Sequence, residues 1–302
     1  MSVFAGFLLV TSAFLHAGWN LLGKTVHPSP AFFLIATLFS CLLLTPAILI
    51  NGEDLLSLPP LIWQLILLTG FFQAIYMWAL AGAYKHGAIS IAYPLLRALP
   101  VLLIAIMTVL LAQGESLGLL AMSGIILVSI GCLIIPIPSL RGISFRTFIN
   151  MSCCFALVSA LGTVGYTLVD DKALTLLRNN EALQLSVNEI SLIYLFFVNM
   201  SASVWLCCIV LPNRTSREHV REIVHKHLSK TALTGFAMTL TYALVLISMA
   251  YVDNVSYVVA FRQLSIPIAV IFAIYLLKEP GTPSKLIGTL TLFTGIVLIS
   301  LA

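Results

Sequence analysis

Two arginines lie inside long apolar stretches of the chain, where a charged side chain is costly. Arg97 and Arg262 each stand about eight residues from one end of such a stretch. A charge near the middle of a membrane costs at least about 2.5 kcal/mol on insertion scales, so an arginine there indicates a functional group. A guanidinium carries five donors in one plane and matches a carboxylate or phosphate with two parallel hydrogen bonds. The pair therefore predicts a site for a small anionic or zwitterionic molecule held between Arg97 and Arg262.

Other polar and aromatic side chains in the apolar stretches are candidates for the same site. His16 titrates near neutrality and could relay a proton or hold the bound molecule; a hydrogen-bonded histidine between helices is the equal alternative. Trp19 could form an aromatic wall or simply pack. Gln73 and Gln263 must face protein or water, because lipid leaves an amide without partners. The predicted substrate-binding residues are Arg97, Arg262, His16, Trp19, Asn20, Tyr76, Tyr93, Tyr242 and Gln263.

Three other interpretations stay open from the residues alone. The arginines could be structural, bonded to carbonyls of neighbouring helices or reaching the headgroups, and the site would then take cationic or aromatic drugs. A membrane-embedded enzyme for a lipid-linked substrate needs a nucleophile and a base, which only Asp170, Asp171 and the loop histidines could supply, without recognisable spacing. A channel is disfavoured because no ring of charges is present. We therefore expect a binding protein and not an enzyme.

Cofactor and metal motifs are missing from the sequence. The six cysteines all fall inside apolar stretches, and adjacent cysteines on a helix point apart, so neither disulfides nor a metal site is expected. There is no Gly-rich phosphate loop, catalytic-triad spacing or His-Glu metal motif. We expect no cofactor, no metal and no catalytic residue.

The composition places the chain in a membrane. Of its 302 residues, 60% are hydrophobic and 9% are charged, and the mean hydropathy is +1.09. A soluble domain carries about a quarter charged residues. These values exclude an ordinary soluble globule, a disordered chain and a disulfide scaffold, and the apolar runs are too long for an outer-membrane barrel. The predicted fold class is an all-α polytopic membrane protein.

Ten apolar stretches are long enough to cross a bilayer. A helix rises about 1.5 Å per residue, so about 20 residues span a hydrocarbon core about 30 Å thick. The predicted spans are Ser2–Gly23, Ala31–Ile50, Leu61–Tyr84, Ile89–Ala112, Leu117–Pro138, Thr147–Val169, Ile190–Leu211, Thr231–Tyr251, Val255–Leu277 and Lys285–Leu301. Pro94, Pro100 and Pro267 lack a backbone N–H and are expected to kink the fourth and ninth spans near the arginines.

The second half of the sequence repeats the first. Glu115, Gly124 and Gly131 match residues that each lie 164 positions later, namely Glu279, Gly288 and Gly295. With small gaps the match pairs Arg97 with Arg262 and Gly18-Trp19 with Gly165-Tyr166. Two repeats of five helices, over residues 1–138 and 147–302, follow from this match. An odd number of spans inverts the second repeat in the membrane, a geometry typical of secondary transporters that bind substrate at the repeat interface.

The basic residues are distributed unevenly between the two sides of the predicted membrane. Eleven of the fifteen lie on loops after odd-numbered spans, and only Lys172 and Arg178 lie on the opposite side. The positive-inside rule places the odd-span loops in the cytoplasm and both termini outside, in the inner (plasma) membrane. This distribution is a topology signal, so the net charge of +4 does not predict nucleic-acid binding.

Two longer loops and a glycine pattern complete the prediction. Residues 212–230 carry apolar side chains at helical spacing and predict a short helix on the cytoplasmic surface. Residues 170–189 are predicted to be a polar loop that caps the outer mouth or simply links two spans. Glycines spaced seven apart near the end of each half predict close helix packing, with a homodimer seam as an alternative.

Several short motifs resemble the drug/metabolite transporter superfamily, in the type built from two EamA domains. They are Ala17-Gly18-Trp19-Asn20 followed by Lys24, and two stretches that each end a half, Gln113-Gly114-Glu115 to Gly131 and Lys278-Glu279 to Gly295. The resemblance covers the whole chain. It implies ten helices around a central cavity and an exporter or exchanger of small metabolites working by alternating access.

The resemblance leaves the substrate open. Known substrates in this superfamily range from amino acids and purines to sugar nucleotides and phosphorylated sugars. One branch exchanges cationic drugs for protons through a buried glutamate in its first helix, but Ser2–Gly23 has no carboxylate, so that mechanism is disfavoured. The expected partners are a small-molecule substrate, the lipid bilayer and a coupling proton or counter-substrate.

Overall fold

The fold is known from a computed structural model. It describes residues 2–26, 29–51, 58–86, 96, 99–101, 103–104, 106–107, 118–135, 137, 150–180, 183–276 and 281–301. We label the α-helices α1 (Val3–Thr25), α2 (Pro30–Asn51), α3 (Pro60–His86), α4 (Leu119–Ile134), α5 (Met151–Arg178), α6 (Val187–Val210), α7 (Arg214–Glu222), α8 (Leu228–Ser248), α9 (Val255–Arg262), α10 (Ser265–Leu276) and α11 (Pro283–Ser300).

The described part of the chain is all-helical and suited to a membrane. Seven helical stretches in it are long and apolar enough to cross one, and the apolar part of α1 and helix α4 are shorter. A multi-pass membrane protein is therefore confirmed at this level. The predicted fourth span lies largely outside the described residues, although residues 96, 99–101, 103–104 and 106–107 are helical.

Helix α5 runs to Arg178 and α6 begins at Val187, so the prediction of a loop over residues 170–189 was wrong for its first nine and last three residues. Asp170, Ala173, Leu174 and Leu177 are all buried and recur on one helical face. Arg178 then donates from Nη2 to the Leu246 carbonyl oxygen at 2.8 Å, which fixes the last turn against α8. The polar pair Asp170-Asp171 was misread as the membrane boundary, although α5 continues past it to Arg178.

The predicted surface helix in residues 212–230 is helical but does not stand alone. Helix α7 begins at an Asn213 cap, and a π-helical turn, Ile223–His227, carries it directly into α8. Of the four apolar residues that predicted this helix, only Ile223 is fully buried, whereas Val224 and Leu228 remain exposed. Much of the apolar surface of this helix is therefore not packed against other described residues.

The main helix pairs each join a helix from the first half of the chain to one from the second. These pairs are α1 with α8, α2 with α6, α3 with α5, and α4 with α11. The core consequently lies between the halves, and the two predicted repeats share it.

The glycines predicted to allow close packing do so between α4 and α11. A Cβ on Gly131 would lie 2.7 Å from the Gly288 carbonyl oxygen, and one on Gly124 would lie 2.7 Å from that of Gly295. Since Cβ atoms essentially never come this close to other heavy atoms, the two backbones can meet only through glycine. The glycines of α4 therefore contact α11 of the same chain, and a homodimer stays a prediction.

Candidate functional site

A cavity lies near the middle of the helices, and the empty volume in and in front of it, including space open to solvent, is about 550 Å³. Helices α1, α2, α3, α5, α6, α8 and α9 all contribute side chains to its wall, so both halves of the chain build it. The lining residues are His16, Trp19, Ser40, Gln73, Tyr76, Met77, Tyr166, Leu195, Asn199, Met238, Thr239, Thr241, Tyr242 and Arg262.

Arg262 reaches this cavity at a break in the ninth predicted span. Helix α9 ends at Arg262 and α10 begins at Ser265, three residues later. Pro267 has no N–H to donate to the Gln263 carbonyl oxygen, which instead accepts from the Ile266 amide at 2.9 Å. The Ser265 hydroxyl donates to the Arg262 carbonyl oxygen at 2.9 Å. The break expected from the proline is therefore present, and it places Arg262 at a helix C-terminus, where a cation is favoured.

The Arg262 side chain lies against aromatic rings. Its Nη2 donates to the Tyr166 hydroxyl at 3.4 Å, and its guanidinium carbon is 5.7 Å from the centroid of the Tyr242 ring. Tyr166 packs edge-on against both Tyr76 and Tyr242, with ring centroids 5.8 Å apart in each case. These rings hold the guanidinium in place at the cavity wall by packing and cation–π attraction.

Two further polar side chains at the cavity have donors without a partner among the described residues. They are the Trp19 indole N–H, whose ring packs edge-on against His16 at 4.7 Å, and the Asn199 side-chain NH₂ group. Trp19 and Asn199 are each 6% exposed. A buried donor without an acceptor costs about 1–3 kcal/mol. Three residues that carry donor groups, Trp19, Asn199 and Arg262, therefore line the cavity.

A buried carboxylate lies one helical turn beyond the cavity. Asp170 is 0% exposed and follows Tyr166 by four residues on the same face of α5. Its Oδ1 accepts from the Thr69 hydroxyl at 2.5 Å and the Tyr194 hydroxyl at 2.7 Å, and its Oδ2 accepts from the Tyr242 hydroxyl. We call these four residues, Thr69, Asp170, Tyr194 and Tyr242, the Asp170 cluster. Tyr242 belongs to both the cluster and the cavity wall and so connects them.

Replacing Asp170 by alanine should destabilise the protein by about 3 kcal/mol or more, because three buried hydroxyls would lose their acceptor. Asparagine keeps one oxygen acceptor and nearly the same volume, so Asp170→Asn should cost much less. Thermal unfolding midpoints in detergent check this order. Asp171→Ala is the matched control, because Asp171 is only half-buried on the same helix and its charged neighbour is Arg178. An Asp171→Ala midpoint as low as that of Asp170→Ala would contradict the assigned importance of the cluster.

The cavity contains five of the predicted site residues: His16, Trp19, Tyr76, Tyr242 and Arg262. Gln263 is not among the lining residues; it is buried, and its Nε2 donates to the Val259 carbonyl oxygen at 3.2 Å. Arg97 and Tyr93 lie outside the described residues, as does the side chain of Asn20.

Sequence reasoning did not select Tyr166, Asn199 or Asp170 for the site. Tyr166 had a signal, because the repeat pairs it with Trp19, and both line the cavity. Asp170 had one too, since it continues the buried helical face of α5. No group of three potential metal ligands occurs among the described residues.

Comparisons with known proteins support the fold alone. No protein-family model matches the chain, and no curated protein matches it. Twenty-eight chains of solved structures match. One of them, described only as the crystal structure of a protein, superposes with a TM-score of 0.67 and 14% identity, covering 98% of this chain and 95% of that one. The fold is therefore shared with a solved protein over nearly the full length of both.

Proposed function

We propose that the protein is a secondary transporter, an exporter or exchanger, for a small anionic or zwitterionic metabolite. The substrate binds in the cavity with its acidic group at Arg262 and is exposed alternately to each side of the membrane. The observation that carries this proposal is the set of donors at the cavity, namely Arg262, the Trp19 indole and the Asn199 amide. Arg97, the repeat partner of Arg262, remains its predicted counterpart.

The packing supports two inverted five-helix repeats within a ten-helix bundle. A two-fold axis that exchanges the halves would exchange the pair α3–α5 with α1–α8, and the pair α3–α6 with α2–α8, and all four pairs occur. The glycine contacts obey the same rule: Gly131 meets Gly288, and its repeat partner Gly295 meets Gly124. This arrangement favours a place in the drug/metabolite transporter superfamily and alternating access by movement of one repeat against the other.

The ends of the helices support the predicted alternation of loops. Arg178 at the end of α5 contacts Leu246 near the end of α8, and the Ser2 amide donates to the Tyr251 carbonyl oxygen. The start of α1 and the ends of α5 and α8 thus lie on one side of the bundle. With the basic residues on the other side facing the cytoplasm of an inner (plasma) membrane, both termini would be outside.

The alternatives are less well supported by the cavity. A cationic drug would have to enter beside the positive charge of Arg262, whose guanidinium already lies over the Tyr242 ring. An enzyme that used Asp170, one of the acids considered from the sequence, would need that carboxylate to be accessible, yet Asp170 is fully buried and bonded to three hydroxyls. The aromatic wall does favour a ligand with a flat apolar body next to its acidic group.

Thermal stability of the purified protein across a ligand panel tests the proposal. A ligand that binds the folded state raises the unfolding midpoint, and a concentration of about 100 times Kd adds about 2.7 kcal/mol. The panel contains amino acids, organic acids, sugar phosphates, nucleosides and cationic drugs. We expect a carboxylate or phosphate compound to stabilise the protein, followed by its exchange in proteoliposomes. Stabilisation by cationic drugs alone would contradict the proposal.

A further inference from the structure

The Asp170 cluster closes one end of the cavity. Thr69 and Tyr194 stand nine and seven residues after the starts of α3 and α6, and Asp170 and Tyr242 stand eight and six residues before the ends of α5 and α8. By the helical rise these four residues lie at a similar depth, about 9 to 14 Å from the helix ends. The cluster is therefore a layer of four helices between the cavity and the side of the α5–α6 connection.

A second cavity lies on the far side of this layer. It is small and apolar, and Leu177, Leu183 and Leu185 line it next to the α5–α6 connection. Tyr194 belongs to its wall, as Tyr242 belongs to the wall of the central cavity. Asp170 thus accepts a hydrogen bond from one wall residue of each cavity, Tyr194 and Tyr242.

The groups around Asp170 suit a proton better than a metal ion. The hydroxyls of Thr69 from α3, Tyr194 from α6 and Tyr242 from α8 all point their hydrogens at the carboxylate, so they leave no cage of free oxygens for a cation. The charged group facing Asp170 is Arg262 from α9, which interacts with it electrostatically. Tyr166, on α5 itself, contacts both Arg262 and Tyr242, and its carbonyl oxygen accepts from the Thr69 hydroxyl at 3.5 Å.

We propose that Asp170 is the binding site of a proton that is carried together with the anionic substrate, an inference that rests on the transport function proposed above. In the empty protein the Asp170 carboxylate offsets part of the charge of Arg262. A proton that forms an O–H bond with the carboxylate removes this negative charge and leaves the guanidinium to pair with the substrate.

Proton and anion therefore favour each other's binding, and by linkage each raises the affinity of the other equally. On the opposite side the O–H bond breaks, the proton leaves with the substrate, and Asp170 is again ionised. One proton travels per anion and no electron moves. An inward proton gradient drives entry, so export occurs by exchange or down a substrate gradient.

The first measurement needs no ligand. Infrared difference spectra of the purified protein, taken between acid and neutral pH, should show the C=O stretch of a protonated carboxyl group. We expect this band to be missing in Asp170→Asn and retained in the control Asp171→Asn. In Tyr194→Phe the band should persist at a changed frequency, because one donor to the carboxyl is gone, so the assignment survives even if Asp170→Asn fails to fold. A wild-type protein without the band, or a band unchanged in both variants of the cluster, would overturn the proposal.

The second measurement uses benzoate, the simplest aromatic carboxylate, as the probe. Calorimetric titration in buffers of different ionisation enthalpy counts the protons taken up on binding. We expect uptake of up to about one proton per benzoate in the wild type, with affinity falling up to about tenfold per unit of rising pH. Both effects should vanish in Asp170→Asn.

The outcomes separate this inference from the proposed function. Benzoate binding that depends on sodium concentration and not on pH would refute the proton site while leaving the transporter intact. An Asp170 band in a protein that no anion of the panel stabilises would count against the proposed function and leave the proton-binding site in place.

Discussion

Replacing Arg262 by glutamine should abolish the thermal stabilisation that an anionic ligand gives the protein, and with it exchange in proteoliposomes. Glutamine keeps much of the chain length but removes the charge and the fork of donors. A charge-assisted hydrogen bond contributes about 1.5–3 kcal/mol, so the loss predicts about a hundredfold weaker binding. The unliganded midpoint should also fall, because Asp170 and the rings of Tyr166 and Tyr242 lose the cation beside them, so the ligand-induced shift is the quantity to compare.

Arg178→Gln is the matched control for this variant. Arg178 is also half-buried near the same end of the bundle, but it binds the Leu246 carbonyl oxygen and does not line the cavity. It should lower the unliganded midpoint and leave the ligand-induced shift intact. Arg97→Gln is predicted from the sequence to lose transport as Arg262→Gln does. A full ligand response in Arg262→Gln would show that this arginine is structural, and the substrate argument would then depend on His16 and the aromatic residues.

The sequence predicted most of the described helices because an apolar run of about 20 residues has few stable forms in lipid other than a helix. Polarity was a poorer guide to where a helix ends. The run Asp170-Asp171-Lys172 resembles a membrane boundary, yet the Asp170 carboxylate is buried and accepts hydrogen bonds from three hydroxyls on other helices. These hydrogen bonds offset the cost of burying the carboxylate. They depend on tertiary contacts, such as those with Thr69 and Tyr242, which cannot be read from a single sequence.

The sequence identified candidate site residues by their chemical type, but it did not determine which of their side chains face the cavity. Arg262 and Gln263 are neighbours, but about 100° separates consecutive side chains on a helix, and only Arg262 lines the cavity. Which of the two faces inward depends on how α9 is rotated against α1 and α5, and that follows from packing. The internal repeat carried more information: it relates Trp19 to Tyr166, and both lie on the cavity wall.

Adding a single methyl group at Gly131 should prevent stable packing of α4 against α11. A Cβ there would lie 2.6 Å from the Leu292 backbone nitrogen and 2.7 Å from the Gly288 carbonyl oxygen. Backbone atoms cannot move aside as a flexible side chain can, so the helices must separate. We expect Gly131→Ala to cost more than the usual overpacking penalty of about 1–3 kcal/mol. The measurement is the fraction of monodisperse protein and its unfolding midpoint in detergent.

Gly18→Ala is the control, because no described atom lies within 4 Å of a Cβ at Gly18 and alanine favours a helix by about 1 kcal/mol. Gly295→Ala adds a test of the repeat itself. Its Cβ would lie 2.6 Å from the Gly124 carbonyl oxygen and 2.7 Å from the Val128 nitrogen, the positions that the repeat relates to Gly288 and Leu292. If a two-fold axis relates the halves, the two variants should lose similar stability, since each breaks one of two contacts that the axis relates to each other. If Gly295→Ala were tolerated while Gly131→Ala disrupted the protein, the two related contacts would contribute differently to stability. The two halves would then not be packed equivalently.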